Sequence, residues 1–218
     1  MGERPVVRKF LLPVCLPVSL HVIFFFFLAS AAGAGIVDEL KKKQAEIETV
    51  SALFMQEKHT KLLTKPIRST GRFFYKQPGM IRWEYGGSTS MQVMYNGKEL
   101  WLYYPELKEA DSLSGIPQYS SLMHFDISSL SRDYAIAARK EKNVLILRLA
   151  PKTKGPVRQI EMEFNRESSF PGKITLVDSN DEETVITFRD ARINREIEDA
   201  LFNFVPPEGV TVRERTLK

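Results

Sequence analysis

The side chains with most to do in this sequence are large and apolar, and they recur at strand spacing. From Ile81, the residues Ile81, Trp83 and Tyr85 alternate with Arg82 and Glu84. A period of two sends each set to opposite faces of a β-strand. Gln77-Pro78-Gly79 separates this strand from an earlier one, since Pro presets φ and Gly accepts positive φ. A face carrying indole and phenol rings must pack on a second sheet, a helix or an apolar ligand. The chemistry available is recognition of apolar surface.

Groups for making and breaking bonds are sparse. Beyond the first 34 residues the histidines are His59 and His124, far apart and in no metal-ligand spacing. A Gly-x-Ser-x-Gly elbow, a phosphate loop, a dinucleotide fingerprint and a His-Glu-x-x-His motif are all missing. Asp181-Glu182-Glu183 reads as a solvated hairpin tip, and Glu196, Glu198 and Asp199 as a solvated turn or loop. No catalytic residue, cofactor or metal site is expected, and the protein is read as a non-enzyme.

These side chains need elements to position them. The expected N-terminal helix runs from Asp38, its cap, to Glu48. Val37, Leu40, Ile47 and Val50 lie near one stripe, which Gln44 interrupts. Strand patterns follow over 50–60, 68–77, 80–86, 89–95 and 99–104, with Asn96-Gly97 as a hairpin signal. Further strands are expected at 133–140, 143–150, 157–164, 172–178 and 183–190. Residues 112–131, rich in Ser but carrying Leu122, Met123, Phe125, Ile127 and Leu130, read as a short apolar-faced helix or two. Nine or ten strands in roughly 180 residues curl into a barrel or a strongly bent antiparallel sheet. Candidates for the concave face are Phe73, Tyr75, Ile81, Trp83, Tyr85 and Val93, then Leu100, Leu102, Ile160, Met162 and Phe164. They would form an ordinary core or line a cavity for a greasy ligand. Periodicity leaves the inward face open at Phe73-Phe74 and at 89–95.

The first 34 residues follow the grammar of a secretory signal. Arg4, Arg8 and Lys9 precede an apolar run from Phe10 to Leu28, and small residues close it, predicting cleavage after Ala31 or Ala34. An uncleaved anchor is the competing reading, disfavoured by Pro13, Pro17 and His21 within the run. Cys15, the one cysteine, lies before most of the run and not at a lipidation site. Cleavage leaves a thiol-free chain held by its core alone, which suits a bacterial periplasm. Of 31 basic and 27 acidic residues, 28 and 26 remain, a net +2. No block of like charge is longer than Lys41-Lys42-Lys43, so nucleic-acid binding has little support.

Four motifs in order carry a family resemblance. They are Val50-Ser-Ala-Leu-Phe-Met-Gln56, Gly71-Arg-Phe-Phe-Tyr-Lys-Gln-Pro-Gly-Met-Ile-Arg-Trp83, Tyr95-Asn-Gly-Lys-Glu-Leu-Trp-Leu-Tyr-Tyr-Pro105 and Phe202-Asn-Phe-Val-Pro-Pro-Glu-Gly-Val-Thr-Val212. Together they resemble the LolA family of periplasmic lipoprotein carriers, over residues 35–218 as a single domain. The resemblance implies a mainly β fold, an incomplete, half-open antiparallel β-barrel covered by an α-helical lid. It implies an acyl-binding cavity drawn from the concave-face residues above. The lid would be the N-terminal helix and residues 117–130, with Leu40, Ile47, Leu122, Met123, Phe125 and Ile127 facing the sheet. The implied partners are acylated lipoproteins, an inner-membrane ABC-type releasing complex and an outer-membrane receptor, with the carrier a monomer. Alternatives on the same fold are a carrier of free lipid or glycolipid and an envelope lipid sensor; a periplasmic hydrolase would need a nucleophile–His pair that is not evident. The chain departs from the family at Gln77, where several members carry a lid-latching Arg, so a weaker or differently built latch is expected.

Overall fold

The computed structural model describes residues 35–87, 90–114, 125–165 and 168–216. Among them are helix α1 (35–45), helix α2 (Ile127–Asp133) and twelve strands. The strands are β1 (Thr49–His59), β2 (Ile67–Lys76), β3 (Met80–Tyr85), β4 (Met91–Tyr95), β5 (Leu100–Tyr104) and β6 (Glu109–Ser114). Then come β7 (Tyr134–Glu141), β8 (Val144–Pro151), β9 (Val157–Asn165), β10 (Lys173–Asp178), β11 (Glu183–Ile193) and β12 (Thr211–Thr216). All twelve form one sheet in the order β12-β6-β5-β4-β3-β2-β1-β11-β10-β9-β8-β7. Every pairing is antiparallel except β12 with β6. Among the described residues β7 and β12 stay unpaired with each other, so the sheet curls without closing.

Alternation decides the inner face. Phe54 of β1, Phe73 of β2, Ile81 and Trp83 of β3, Leu147 and Leu149 of β8, and Ile160, Met162 and Phe164 of β9 share one buried cluster. Strands far apart in the order meet there because the sheet curls around it. α1 lays Val37 and Leu40 on the cluster, with Ile47 just beyond the helix, and α2 adds Ile127 and Leu130. Asp126 caps α2 by accepting from the amides of Ser128 (3.0 Å) and Ser129 (2.9 Å).

Several expectations change. α1 begins before Asp38, which lies inside the first turns and faces Lys41 at 3.9 Å instead of capping, and it ends at residue 45. The sheet has twelve strands because residues 109–114, whose Ser and Asp content reads as irregular, pair with β5, and 211–216 joins them in parallel. In the 112–131 stretch the described helix is Ile127–Asp133, while Leu122 and Met123 lie outside the described residues, as do the signal segment and His124. The two open faces are settled. Phe73 turns inward and Phe74 outward, and Val93 packs on the inner cluster while Met94 is buried on the opposite face.

Met94 is buried outside because the chain after β11 crosses the convex face as a strap. Asn194 ties the start of the strap to β1, its amide donating to the Thr49 carbonyl (2.9 Å). Lys76 donates to the Ile197 carbonyl (2.7 Å) and Arg82 to that of Leu201 (2.9 Å). Phe202 is buried, and Phe204 packs on Trp101 and Tyr103 at ring distances of 5.2 and 4.9 Å.

Candidate lipid-binding site beneath the helical lid

The concave face is aromatic at its centre. Phe73, between β1 and β3, touches Trp83 (4.6 Å between centroids), Phe188 (5.6 Å) and Phe170 (5.8 Å). Trp83 also meets Phe54 edge-on at 4.9 Å, and Phe54 meets Tyr85 at 5.0 Å. Phe125, from the covering segment, sits 6.0 Å from both Phe73 and Trp83 and 5.8 Å from Phe188. These distances suit tilted and edge-to-face ring contacts.

The sequence candidates divide by position. Phe73, Ile81, Trp83, Ile160, Met162 and Phe164 are fully or almost fully buried in the central cluster. Tyr75, Tyr85 and Val93 are partly buried against it. Leu100 is buried outside that cluster, and Leu102 is half-buried, because β5 lies towards the open end of the sheet. Of the lid candidates, Leu40, Ile47, Phe125 and Ile127 belong to the central cluster.

Closure is held by amides. Gln44 Nε2 donates to the carbonyls of Phe125 (3.4 Å) and Ser169 (3.2 Å), and its Oε1 accepts from the Ile127 amide (3.0 Å). One side chain thus ties α1 to the start of α2 and to the loop before β10. Gln77 Nε2 donates to the Ala45 carbonyl (3.2 Å) at the end of α1, and the Gln77 amide donates to Glu48 (2.8 Å). Arg82, in contrast, faces the convex side, bonded to Glu84 (2.7 Å) and Gln92 (2.9 Å). In the sequence Gln44 shows only as an interruption of the apolar stripe. That interruption was the signal, because an amide on an inward stripe needs polar partners.

Phe125 has φ 60°, the left-handed region that a bulky residue rarely adopts. Such a conformation costs on the order of 1–3 kcal/mol and persists only where its surroundings impose it. Here its ring is buried among aromatics and its carbonyl accepts from Gln44.

A cavity of about 270 Å³ remains at this seam, lined by Gln44, Ile47, Val50, Tyr75, Gln77, Phe125 and Phe170 among others. It falls below the ~300–1,000 Å³ of ordinary ligand pockets. The space widens only if covering side chains move aside. Burial, with the nearby Asp126 carboxylate adding to it, pushes the Tyr75 hydroxyl up to about 12. Burial alone does the same to Tyr85, which donates to Gln56 Oε1 (3.3 Å). A wider groove of about 1050 Å³ lies on the other face between the strap and β1, β2 and β11, lined by Phe74, Arg192 and Arg195 among others. It is open and more polar, and of its lining residues Ile193 alone also packs against the buried cluster.

The class of fold is an unclosed, curled antiparallel sheet with an aromatic concave face covered by short helices. Residues 45–205 match the family model described as outer membrane lipoprotein carrier protein LolA, and the chain belongs to that family. A protein of Pseudomonas aeruginosa named outer-membrane lipoprotein carrier protein is 28% identical over 194 residues, 85% of this chain and 90% of that one. One of the same name from Halorhodospira halophila is 25% identical over 202 residues, 90% and 94% of the two chains. Among solved structures, an uncharacterized conserved protein from Thermus thermophilus aligns with TM-score 0.54 at 12% identity, covering 84% of this chain and 99% of that one. A DUF1329 family protein from Desulfovibrio piger aligns with TM-score 0.51 at 13% identity, covering 79% and 96%. These two show the fold alone.

Proposed function

We propose that this protein is a periplasmic carrier that shields the acyl chains of lipoproteins on its concave aromatic face, and that it is not an enzyme. The supporting observation is the join between Phe73 and Trp83 on the sheet and Phe125 on the covering segment, where a few breakable hydrogen bonds of the Gln44 and Gln77 side chains close an apolar face. Full burial of a CH₂ is worth ~0.8 kcal/mol, so a C16 chain in water costs on the order of 12 kcal/mol. A carrier of such chains needs an apolar face and a cover that yields.

In this reading Phe125 and its neighbours act as stand-ins for cargo in the empty state. An acyl chain displaces Phe125 from the rings of Phe73, Trp83 and Phe188, the Gln44 bonds break, and the strained φ of Phe125 is released. Gln44 is the principal latch and Gln77 a second one that holds the end of α1. The partners are acylated lipoproteins, loaded from an inner-membrane ABC-type complex and delivered to the outer membrane. The export signal of residues 1–34 is removed on the way.

Native mass spectrometry of the protein purified from its host tests the reading. Co-purifying acylated protein or acyl peptide supports it. Free phospholipid alone points to a lipid carrier, and no lipid together with no uptake of a diacylated lipopeptide overturns both.

A further inference from the structure

We propose that the rim of the sheet farthest from α1 is a membrane-contact surface, which seats Leu62 and Leu63 in the interfacial layer of an anionic bilayer. β1 starts beside α1 and runs to His59, so the β1–β2 turn stands at the opposite rim. Strand directions place the β5–β6, β8–β9 and β10–β11 connections on that rim too. Seven large apolar residues are exposed among the described residues, and four of them are here: Leu62 (90% exposed), Leu107 (66%), Leu63 (52%) and Ile67 (50%). Single exposed leucines are ordinary, but a concentration at one end is not.

The two leucines do not hang on a loose loop. The Leu63 amide donates to the Thr60 carbonyl (3.4 Å), and Lys61 reaches Asp181 of the β10–β11 turn (3.5 Å). The turn therefore presents its apolar side chains outward from a fixed base.

Charge at the rim selects the occupant. The carboxylates of Glu57 and Glu182 are held by Arg68 (2.6 Å) and Lys58 (3.1 Å), Asp181 is shared by Lys61 and Arg158, and Glu106, which accepts from the Ser90 hydroxyl (3.4 Å), is the exposed carboxylate set beside Leu107 and Lys108. Among the described residues no carboxylate pairs with the exposed Lys65, Lys108 or Lys154, which sit on three separate connections of this rim. Apolar tips flanked by uncommitted lysines match the boundary between acyl chains and anionic headgroups, the lysine stems lying along the apolar layer and their ammonium groups meeting phosphate. A protruding tip suits a fluid surface better than a preformed protein groove.

Flotation of the purified protein with vesicles of phosphatidylethanolamine and phosphatidylglycerol tests this without reference to cargo transfer. The wild type should float with the vesicles, and Leu62→Asp/Leu63→Asp should lower the bound fraction at least about tenfold. Lys65→Glu/Lys154→Glu should lower it by a similar factor on these vesicles and leave the weaker binding to phosphatidylcholine unchanged. Both variants keep the wild-type N-terminus, so an unprocessed apolar segment cannot produce the contrast. Leu62→Trp, with unchanged circular dichroism, should shift its emission to the blue when vesicles are added. The proposal is overturned if the wild type fails to float or the leucine variant floats equally well. It is also overturned if that variant abolishes self-association in sedimentation while vesicle binding is absent in both forms. Loss of lipoprotein uptake with flotation intact would reject the carrier reading and leave this one standing.

Discussion

Gln44 occupies a place on α1 where an apolar residue would continue the stripe, and it carries three hydrogen bonds there instead. Gln44→Ala leaves two carbonyls and one amide without these partners in a partly buried seam, a cost of about 1–3 kcal/mol. Its expected effect on function is opposite in sign: lipopeptide uptake followed by stopped-flow fluorescence should become several-fold faster. Gln77→Arg should act the other way. Gln77 already donates to the Ala45 carbonyl at the end of α1, and a guanidinium adds a positive charge at the negative end of the helix dipole, worth about 0.3–1 kcal/mol. Cargo release should slow, and equal transfer rates in the two forms would remove Gln77 from the latch. Tyr75 and Tyr85 give a pH signature. Their hydroxyls stay protonated in the folded state up to about 12, whereas an unfolded tyrosine ionises near 10. The stability they contribute is complete below about pH 10 and is lost as pH rises towards 12. Urea melts across that window should flatten for Tyr75→Phe/Tyr85→Phe.

At the scale of elements, the pairing of β1, β2 and β3 is the frame of the site, and Gly71 is its tightest point. A Cβ at Gly71 would sit 1.9 Å from the Glu84 carbonyl and 2.7 Å from the Phe54 ring. No side-chain rotation relieves a backbone clash, so Gly71→Ala should cost about 2–3 kcal/mol and lower Tm by about 5–10 °C in a calorimetric scan. The alternation that identified β3 and β9 in the sequence held because one face of each is apolar and the other charged. Ile160, Met162 and Phe164 are buried, and Glu161 and Glu163 pair outward with Arg148 and Lys173. It failed at β6, where Ala110 and Leu113 are buried but not at alternate positions, and at β12, which is exposed throughout and is a strand only because the β6 edge offers backbone partners. It was silent at Phe73-Phe74 because both faces there are covered: Phe73 by the lid and the aromatic cluster, Phe74 in part by the strap.

For the whole molecule, the proposed cycle is exchange of one apolar cover for another around a fixed sheet. The chain has two tryptophans, and they report opposite faces. Trp83 lies under Phe125, whereas Trp101 packs on Phe204 of the strap. Lipopeptide binding to Trp101→Phe should therefore change the emission of the remaining Trp83, while binding to Trp83→Phe should leave Trp101 nearly unaffected. Amide exchange should accelerate in 125–133 on loading and stay slow in β1–β3. A Trp101 response equal to that of Trp83 would place the ligand in the convex groove instead.

The sequence alone determined the β-rich character, the turn at Gln77-Pro78-Gly79, the buried sets on β3 and β9, and the family, because these depend on local periodicity and on motifs read in order. Tertiary structure decided the rest. Which of Phe73 and Phe74 faces the site, why Met94 is buried on the outside, and that Gln44 bridges three segments all depend on contacts between residues distant in the chain. A strand's own pattern shows that it has two faces, but only the elements that cover each face fix which one is the interior.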